Sequence, residues 1–185
     1  MSHTETMTPR ERVNAALNHE IPDRVPIDLG GFQTGIHVRA YADLLAHWGM
    51  AHPISILDPV QQLAKPGDET LERFHVDTRY LGAHGPESFS GGIEQNIREG
   101  RLWHDLRDEF GVVWSMPDDQ GLYMDITHHP LAEAAIADVE RYPFPDGGDP
   151  TRFTGVREHA LRLRENTPYA LCSNIGGVAY EICWY

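Results

Sequence analysis

With 185 residues, 41% of them hydrophobic and 23% charged, the chain holds enough apolar material for one core, and reads as one domain or part of one. Its 28 acidic residues outnumber 15 lysines and arginines, and the formal charge of −13 works against binding a polyanion by counterion release, so nucleic acid is not an expected partner. No apolar run approaches the ~18 residues of a membrane span, and the opening MSHTETMTPRER lacks the apolar core of a signal peptide, so a cytoplasmic location without a membrane partner is expected. The two cysteines, Cys172 and Cys183, form neither a CxxC nor a His-x-Cys pattern, and no disulfide framework or metal site is read from them.

Thr8, Pro9 and Glu11 have the spacing of a capping box with proline at the first helical position, and Val13, Ala16 and Leu17 recur at i, i+3, i+4. A helix is predicted from about Pro9 to His19. Pro22 and Pro26 forbid its continuation, and Val25, Ile27 and Leu29 predict a short strand running into Gly30-Gly31. Gly35 to Trp48 reads as helix, with Ile36, Ala40 and Leu44 on one line and Tyr41, Leu45 and Trp48 beside it. Another helix is expected to open at Asp58-Pro59 and break at Pro66-Gly67; Asp68 then caps a helix through Phe74, followed by a strand over Thr78 to Leu81.

Between about 91 and 127 the apolar residues fall in short runs separated by the turn-rich PDDQG, which predicts an antiparallel hairpin or small meander whose Trp103 and Trp114 form a satellite core. Helical pattern returns at Leu131 to Tyr142 and at Arg152 to Asn166, and Ala170 to Asn174 reads as a buried strand running into Gly176-Gly177, with a further helix opening at Val178. Strands alternating with helices predict an α/β fold with a parallel sheet and an antiparallel insertion. Two strands ending in Gly-Gly place glycine at the sheet edge where ligands approach the backbone in α/β folds, or else only make tight turns. Only about three barrel strands are visible, against the eight of a closed (β/α)8 barrel.

The stretches TPRERVNAALNHEIPDRVPIDLGG, TGIH, LDPVQQLAKPGDETLERFHVDTRYL, HPLAEA and SNIGGVAYEICWY resemble the N-terminal half of proteins related to uroporphyrinogen decarboxylase, across essentially the whole chain. The resemblance implies the N-terminal part of a TIM (β/α)8 barrel, residues 1–185 being an incomplete barrel domain with a β-hairpin insertion at about 91–127. It also implies that the helix opening at Val178 continues in a longer relative, and that an open half-barrel self-associates.

Two chemistries occur among such proteins. Cofactor-free decarboxylases of porphyrin and heme biosynthesis bind a polyacidic substrate with paired arginines just after the first strand, where this chain reads DLGGFQTGIH. Their catalytic aspartate aligns with His84 and their active-site tyrosine with Trp184, near Tyr180 and Tyr185, so all three decarboxylase positions differ. The chain is closer in these respects to the corrinoid-linked methyltransferases, in which zinc activates a thiol acceptor that takes a methyl group from a corrinoid partner protein. Their His-x-Cys and later Cys ligands lie in the C-terminal half, so the resemblance implies zinc and a corrinoid partner for a full-length form, no metal ligands in this chain, and a fragment inactive alone.

On this resemblance His84 and Glu181 are the candidate catalytic residues, and Asp28, Gly30, Gly31, Thr34, His37, Asn174, Gly176, Gly177 and Tyr180 the candidate substrate-facing ones. Plainer roles stand beside these. Asp28 caps a turn or points into the barrel mouth, His37 hydrogen-bonds a helix start, and the adjacent His128 and His129 point apart and cap rather than form a ligand pair. Glu181 faces either a ligand or a core arginine. The alternatives to methyl transfer are a decarboxylase and a non-catalytic half-barrel binding protein.

Overall fold

A computed structural model describes residues 5–82, 85, 88, 89 and 91–173. It is a mixed α/β structure with three separate sheets among the described residues, and no closed barrel. These residues form two compact units, one of 5–58, 63–82 and 153–173, the other of 59–62 and the described positions from 85 to 152.

In the first unit, helix α1 (Pro9–Leu17) starts with the predicted capping box. The Glu11 amide donates to Thr8 Oγ1 at 3.3 Å while the Thr8 amide donates to Glu11 Oε2 at 2.8 Å, satisfying two donors that a helix start otherwise leaves open. Thr8→Ala is expected to cost about 1 kcal/mol in thermal or urea unfolding, the usual effect of losing such a cap. The buried face differs from the predicted stripe: Arg12 and Ala15 are inside, while Leu17 is 73% exposed. Burial here follows the hydrogen-bonding partners of Arg12 rather than apolar periodicity.

The Arg12 side chain is fully buried. Its Nε donates to Asp23 Oδ1 at 2.6 Å, Nη1 to Asp77 Oδ1 at 2.5 Å, and Nη2 to the Met7 carbonyl at 2.8 Å. Arg24 approaches Asp77 from the other side, with Nη1 2.7 Å from Oδ2. Two guanidiniums thus compensate one fully buried carboxylate, the condition under which a buried ion pair is tolerated.

Asp77 also receives the Ile27 amide at 2.8 Å, and its own amide donates to the Ile27 carbonyl at 2.8 Å. Residues 25–29 belong to no strand, which corrects the strand expected there. Pro22 and Pro26 carry no amide hydrogen, and a carboxylate holds the Ile27 amide where a neighbouring strand's carbonyl would.

Strand β1 (Ile36–His37) runs into helix α2 (Val38–His47); β2 (Ser55–Asp58) and β3 (Leu63–Lys65) complete an antiparallel sheet in the order β1-β3-β2. The helix expected to open at Asp58-Pro59 is replaced by a reversal, in which Asp58 ends β2 and Gln62 takes a φ of 54°. Tyr41 and Leu45 of α2 and Ala64 of β3 form the buried core, surrounded by Ile36, Val38, Leu44, Met50 and Ile54. The 3.6-residue spacing predicted this face of α2.

Helix α3 (Asp68–Arg73) precedes β4 (Thr78–Leu81). Much later in the chain, α5 (Val156–Asn166) leads into β9 (Ala170–Ser173), which pairs parallel with β4 from Thr78↔Ala170 to Leu81↔Ser173. Parallel strands joined through a helix form a βαβ unit. The helix predicted from Arg152 begins at Val156 instead, because Pro150–Phe153 is a 3-10 turn and Gly155 takes a φ of 72°. Arg10 fastens α1 to the segment entering β9, its Nε donating to the Tyr169 carbonyl at 3.1 Å and Nη2 to the Thr167 carbonyl at 2.9 Å.

In the second unit, β5 (Ile93–Arg98), β6 (Arg101–Arg107), β7 (Val113–Pro117) and β8 (Asp125–His128) make a four-stranded antiparallel meander where a hairpin or small meander was expected. One face carries a polar row across all four strands. Asp105 accepts from Asn96 Nδ2 at 2.6 Å, from Arg98, and from Ser115 Oγ at 2.7 Å, and Ser115 in turn meets Thr127 at 2.7 Å. Trp103 lies beside Arg98 and Trp114 donates to Asp108 Oδ2 at 2.9 Å; both are half-buried, and among the described residues of this unit the fully buried apolar ones are Val112 and Met124.

Of the helix predicted over Leu131 to Tyr142 only α4 (Ile136–Val139) forms. None of its residues is buried, and Ile136 is 80% exposed, so the packing that stabilises a short helix is missing. Among the described residues no helix is long and apolar enough to cross a membrane.

Candidate functional site at the end of β4

Alternation along β4 places Thr78 and Tyr80 on one face and Arg79 and Leu81 on the other. The first face meets Asp28 from segment 25–29. Thr78 Oγ1 donates to Asp28 Oδ1; Tyr80 OH donates to Oδ2 at 2.7 Å, and Thr34 Oγ1 to the same oxygen at 3.0 Å. Three neutral hydroxyls therefore converge on one solvent-exposed carboxylate, and among the described residues no lysine, arginine or histidine forms an ion pair with it.

The loop from Gly30 to Thr34 shapes the neighbourhood. The Gly30 amide donates to the Thr34 carbonyl at 3.1 Å and the Gly31 amide to Thr34 Oγ1 at 3.2 Å. Gly30 takes a φ of 100°, which side chains with a Cβ rarely adopt. Gly31 serves differently, since a Cβ placed on it would lie 2.4 Å from Cζ of Tyr80. The missing side chain at Gly31 is the space in which the Tyr80 ring sits, so at this pair glycine admits a side chain of the protein.

Electrostatics follow from the packing. Burial first, and then the bond to Asp28, push the Tyr80 phenol up to about 12, so Tyr80 is a neutral donor at physiological pH. Cys172 of β9 pairs in register with Tyr80, and its thiol is pushed up by burial and by the charge of Asp28. A thiol so placed is a poor nucleophile at neutral pH.

The structure thus brings together Asp28, Gly30, Gly31 and Thr34 from the predicted set. His37 is the N-cap of α2, its Nδ1 accepting from the Arg39 amide at 3.2 Å. His84, Asn174, Gly176, Gly177, Tyr180 and Glu181, with Cys183, Trp184, Tyr185 and the helix expected from Val178, lie outside the described residues. His128 ends β8 opposite Val113 rather than capping a helix. Thr78, Tyr80 and Cys172 are not among the site residues expected from sequence, although the alternation in DTRYL places Thr78 and Tyr80 on one face.

Arg79 was also missed. It lies on the opposite face, buried, with its guanidinium carbon 3.5 Å from the Tyr169 ring centroid and Nε 3.2 Å from Asp68 Oδ1, while Nη2 has no hydrogen-bond partner among the described residues.

The implied zinc does not fit the described residues. They contain no group of three or more His, Cys, Asp or Glu placed to hold a metal, and the one described cysteine is disposed toward the thiol form. What the Asp28 cluster offers is one exposed negative charge with fixed hydroxyl dipoles around it. Comparison with protein-family models, with curated proteins and with solved structures finds no match to this chain.

Proposed function

We propose that this chain is the N-terminal part of a uroporphyrinogen decarboxylase-related (β/α)8 barrel, and that the Asp28 cluster is its substrate-facing rim in a corrinoid-linked methyl-transfer protein of the cytoplasm. The observation that carries the choice between the two chemistries is the environment of Asp28. A decarboxylase for a polyacidic porphyrinogen needs a cationic clamp near the end of its first strand. At that position this chain has a carboxylate receiving three neutral hydroxyls. A negative charge there repels a polycarboxylate and leaves room for a neutral or cationic substrate. The parallel pair β4 and β9, joined through α5, supports the barrel part of the reading because βαβ units are what such a barrel repeats.

In this reading the chain binds and orients, and the zinc that activates the acceptor thiol is held by residues other than those described. The deciding experiment measures zinc content and thiol-dependent consumption of protein-bound methylcobalamin by the product of the whole reading frame. Stoichiometric zinc with methyl transfer is the expected result. Decarboxylation of a porphyrinogen in its place overturns the reading. The 185-residue chain by itself is expected to bind no stoichiometric zinc in equilibrium dialysis, and tight binding through Cys172 or Cys183 would show the ligands to lie here after all.

A further inference from the structure

We propose that the ligand group received at Asp28 is a protonated amine, an organic ammonium that donates N–H to Asp28 Oδ1; this deepens, and rests on, the reading of the cluster as a substrate rim. A carboxylate offers about four lone-pair sites. Thr34 and Tyr80 occupy two at Oδ2 and Thr78 occupies one at Oδ1, so the described residues leave one site on Oδ1. None of the three donors carries charge, so they orient the carboxylate without neutralising it. Among the described residues, the groups facing Asp28 from the adjoining elements are Thr34 in the loop, Thr78 and Tyr80 on β4, and Cys172 on β9.

All four are neutral at pH 7, and Asp28 is exposed while Tyr80 and Cys172 are half-buried. An oriented carboxylate with one vacant acceptor site beside an aromatic ring matches an N–H cation and repels an anion. The formal charge of −13 adds long-range attraction of the same sign.

The test uses benzylammonium and benzoate, which share a ring and differ in the sign of the charged group. Each is titrated at pH 7 into the isotopically labelled 185-residue chain, and the amide resonances of Gly30 and Gly31 are followed. Saturable shifts with benzylammonium and none with benzoate are expected, and Asp28→Asn should weaken the ammonium at least about tenfold.

Equal response to benzoate, or an Asp28→Asn variant that binds as well as the parent, overturns the proposal. If Asp28→Asn does not fold, benzyl alcohol, which keeps the ring and lacks the charge, decides with the parent chain: it should leave the Gly30 and Gly31 amides unshifted, and a response equal to that of benzylammonium would overturn the assignment. Methyl transfer by the whole gene product reports separately on the rim reading. Transfer without ammonium selectivity removes only this inference, whereas ammonium selectivity without transfer removes only the methyltransferase assignment.

Discussion

Replacing Arg12 with alanine is expected to lower the unfolding free energy of the unit that contains it by about 3–5 kcal/mol, the range for deleting one partner of a buried ion pair. Most of that loss comes from what remains. Asp77 is fully buried, and without Arg12 it keeps one guanidinium, that of Arg24, and the Ile27 amide, while the Met7 carbonyl loses its Arg12 donor and Asp23 keeps only backbone amides. Arg12→Lys should recover only part, because an ammonium cannot reach Asp23, Asp77 and the Met7 carbonyl in one plane as the guanidinium fork does.

The same network sets an acid dependence. Hydrogen bonds from Arg12 and from the Met7 amide hold the Asp23 carboxyl well below the usual carboxylate range. Because the folded value is depressed, the unfolded chain binds more protons through that interval and stability rises with pH. The contribution is complete above the unfolded value of about 4 and is lost as pH falls toward the folded one. Urea unfolding between pH 2 and pH 6 should therefore show a midpoint that drops on acidification, and Arg12→Ala should flatten that slope. A slope unchanged by the substitution would assign the acid sensitivity to other carboxylates.

The second large effect is expected at Gly31. Valine there places side-chain atoms inside the Tyr80 ring, whose Cζ lies 2.4 Å from the position of the added Cβ, so the ring must leave and take its bond to Asp28 with it. Overpacking of this kind costs about 1–3 kcal/mol. Gly31→Ala introduces the same Cβ and should be nearly as damaging, since the clash begins at that atom.

A double-mutant cycle locates the cause. In a Tyr80→Leu background the cost of Gly31→Ala should fall substantially, giving a coupling energy of about 1 kcal/mol or more. An additive result would mean that Gly31 is constrained by its backbone and not by the ring. Gly30 provides the contrast: its φ of 100° makes Gly30→Ala costly through backbone strain that Tyr80→Leu does not relieve.

The elements most legible in the sequence were those whose stability is local. The capping box at Thr8 and Glu11 and the Tyr41 and Leu45 face of α2 follow from spacing and propensity alone. The elements read wrongly are those decided by distant partners. Val13, Ala16 and Leu17 have helical periodicity, yet α1 turns Arg12 inward because carboxylates 11 and 65 positions away are there to receive it.

Val25 to Leu29 has the alternation of a strand, yet its Ile27 amide is taken by the Asp77 side chain. The cluster at Asp28 was half legible for the same reason. Asp28, Gly30, Gly31 and Thr34 lie within one short stretch, whereas Thr78, Tyr80 and Cys172 reach it through pairing that no local pattern encodes.

That pairing has a consequence for how the chain is made. Thr78 and its partner Ala170 stand 92 positions apart (170 − 78), so during synthesis at about 5–20 residues per second β4 emerges roughly 5–18 seconds before β9 exists to meet it. The meander of β5 to β8, whose strands are sequence neighbours, has low contact order and can form within that interval. The β4 edge that β9 later covers meanwhile remains a template for other extended chains. A ribosome-bound nascent chain stalled before residue 170 is the species in which this protein is most exposed to a chaperone or to a neighbour on the same message.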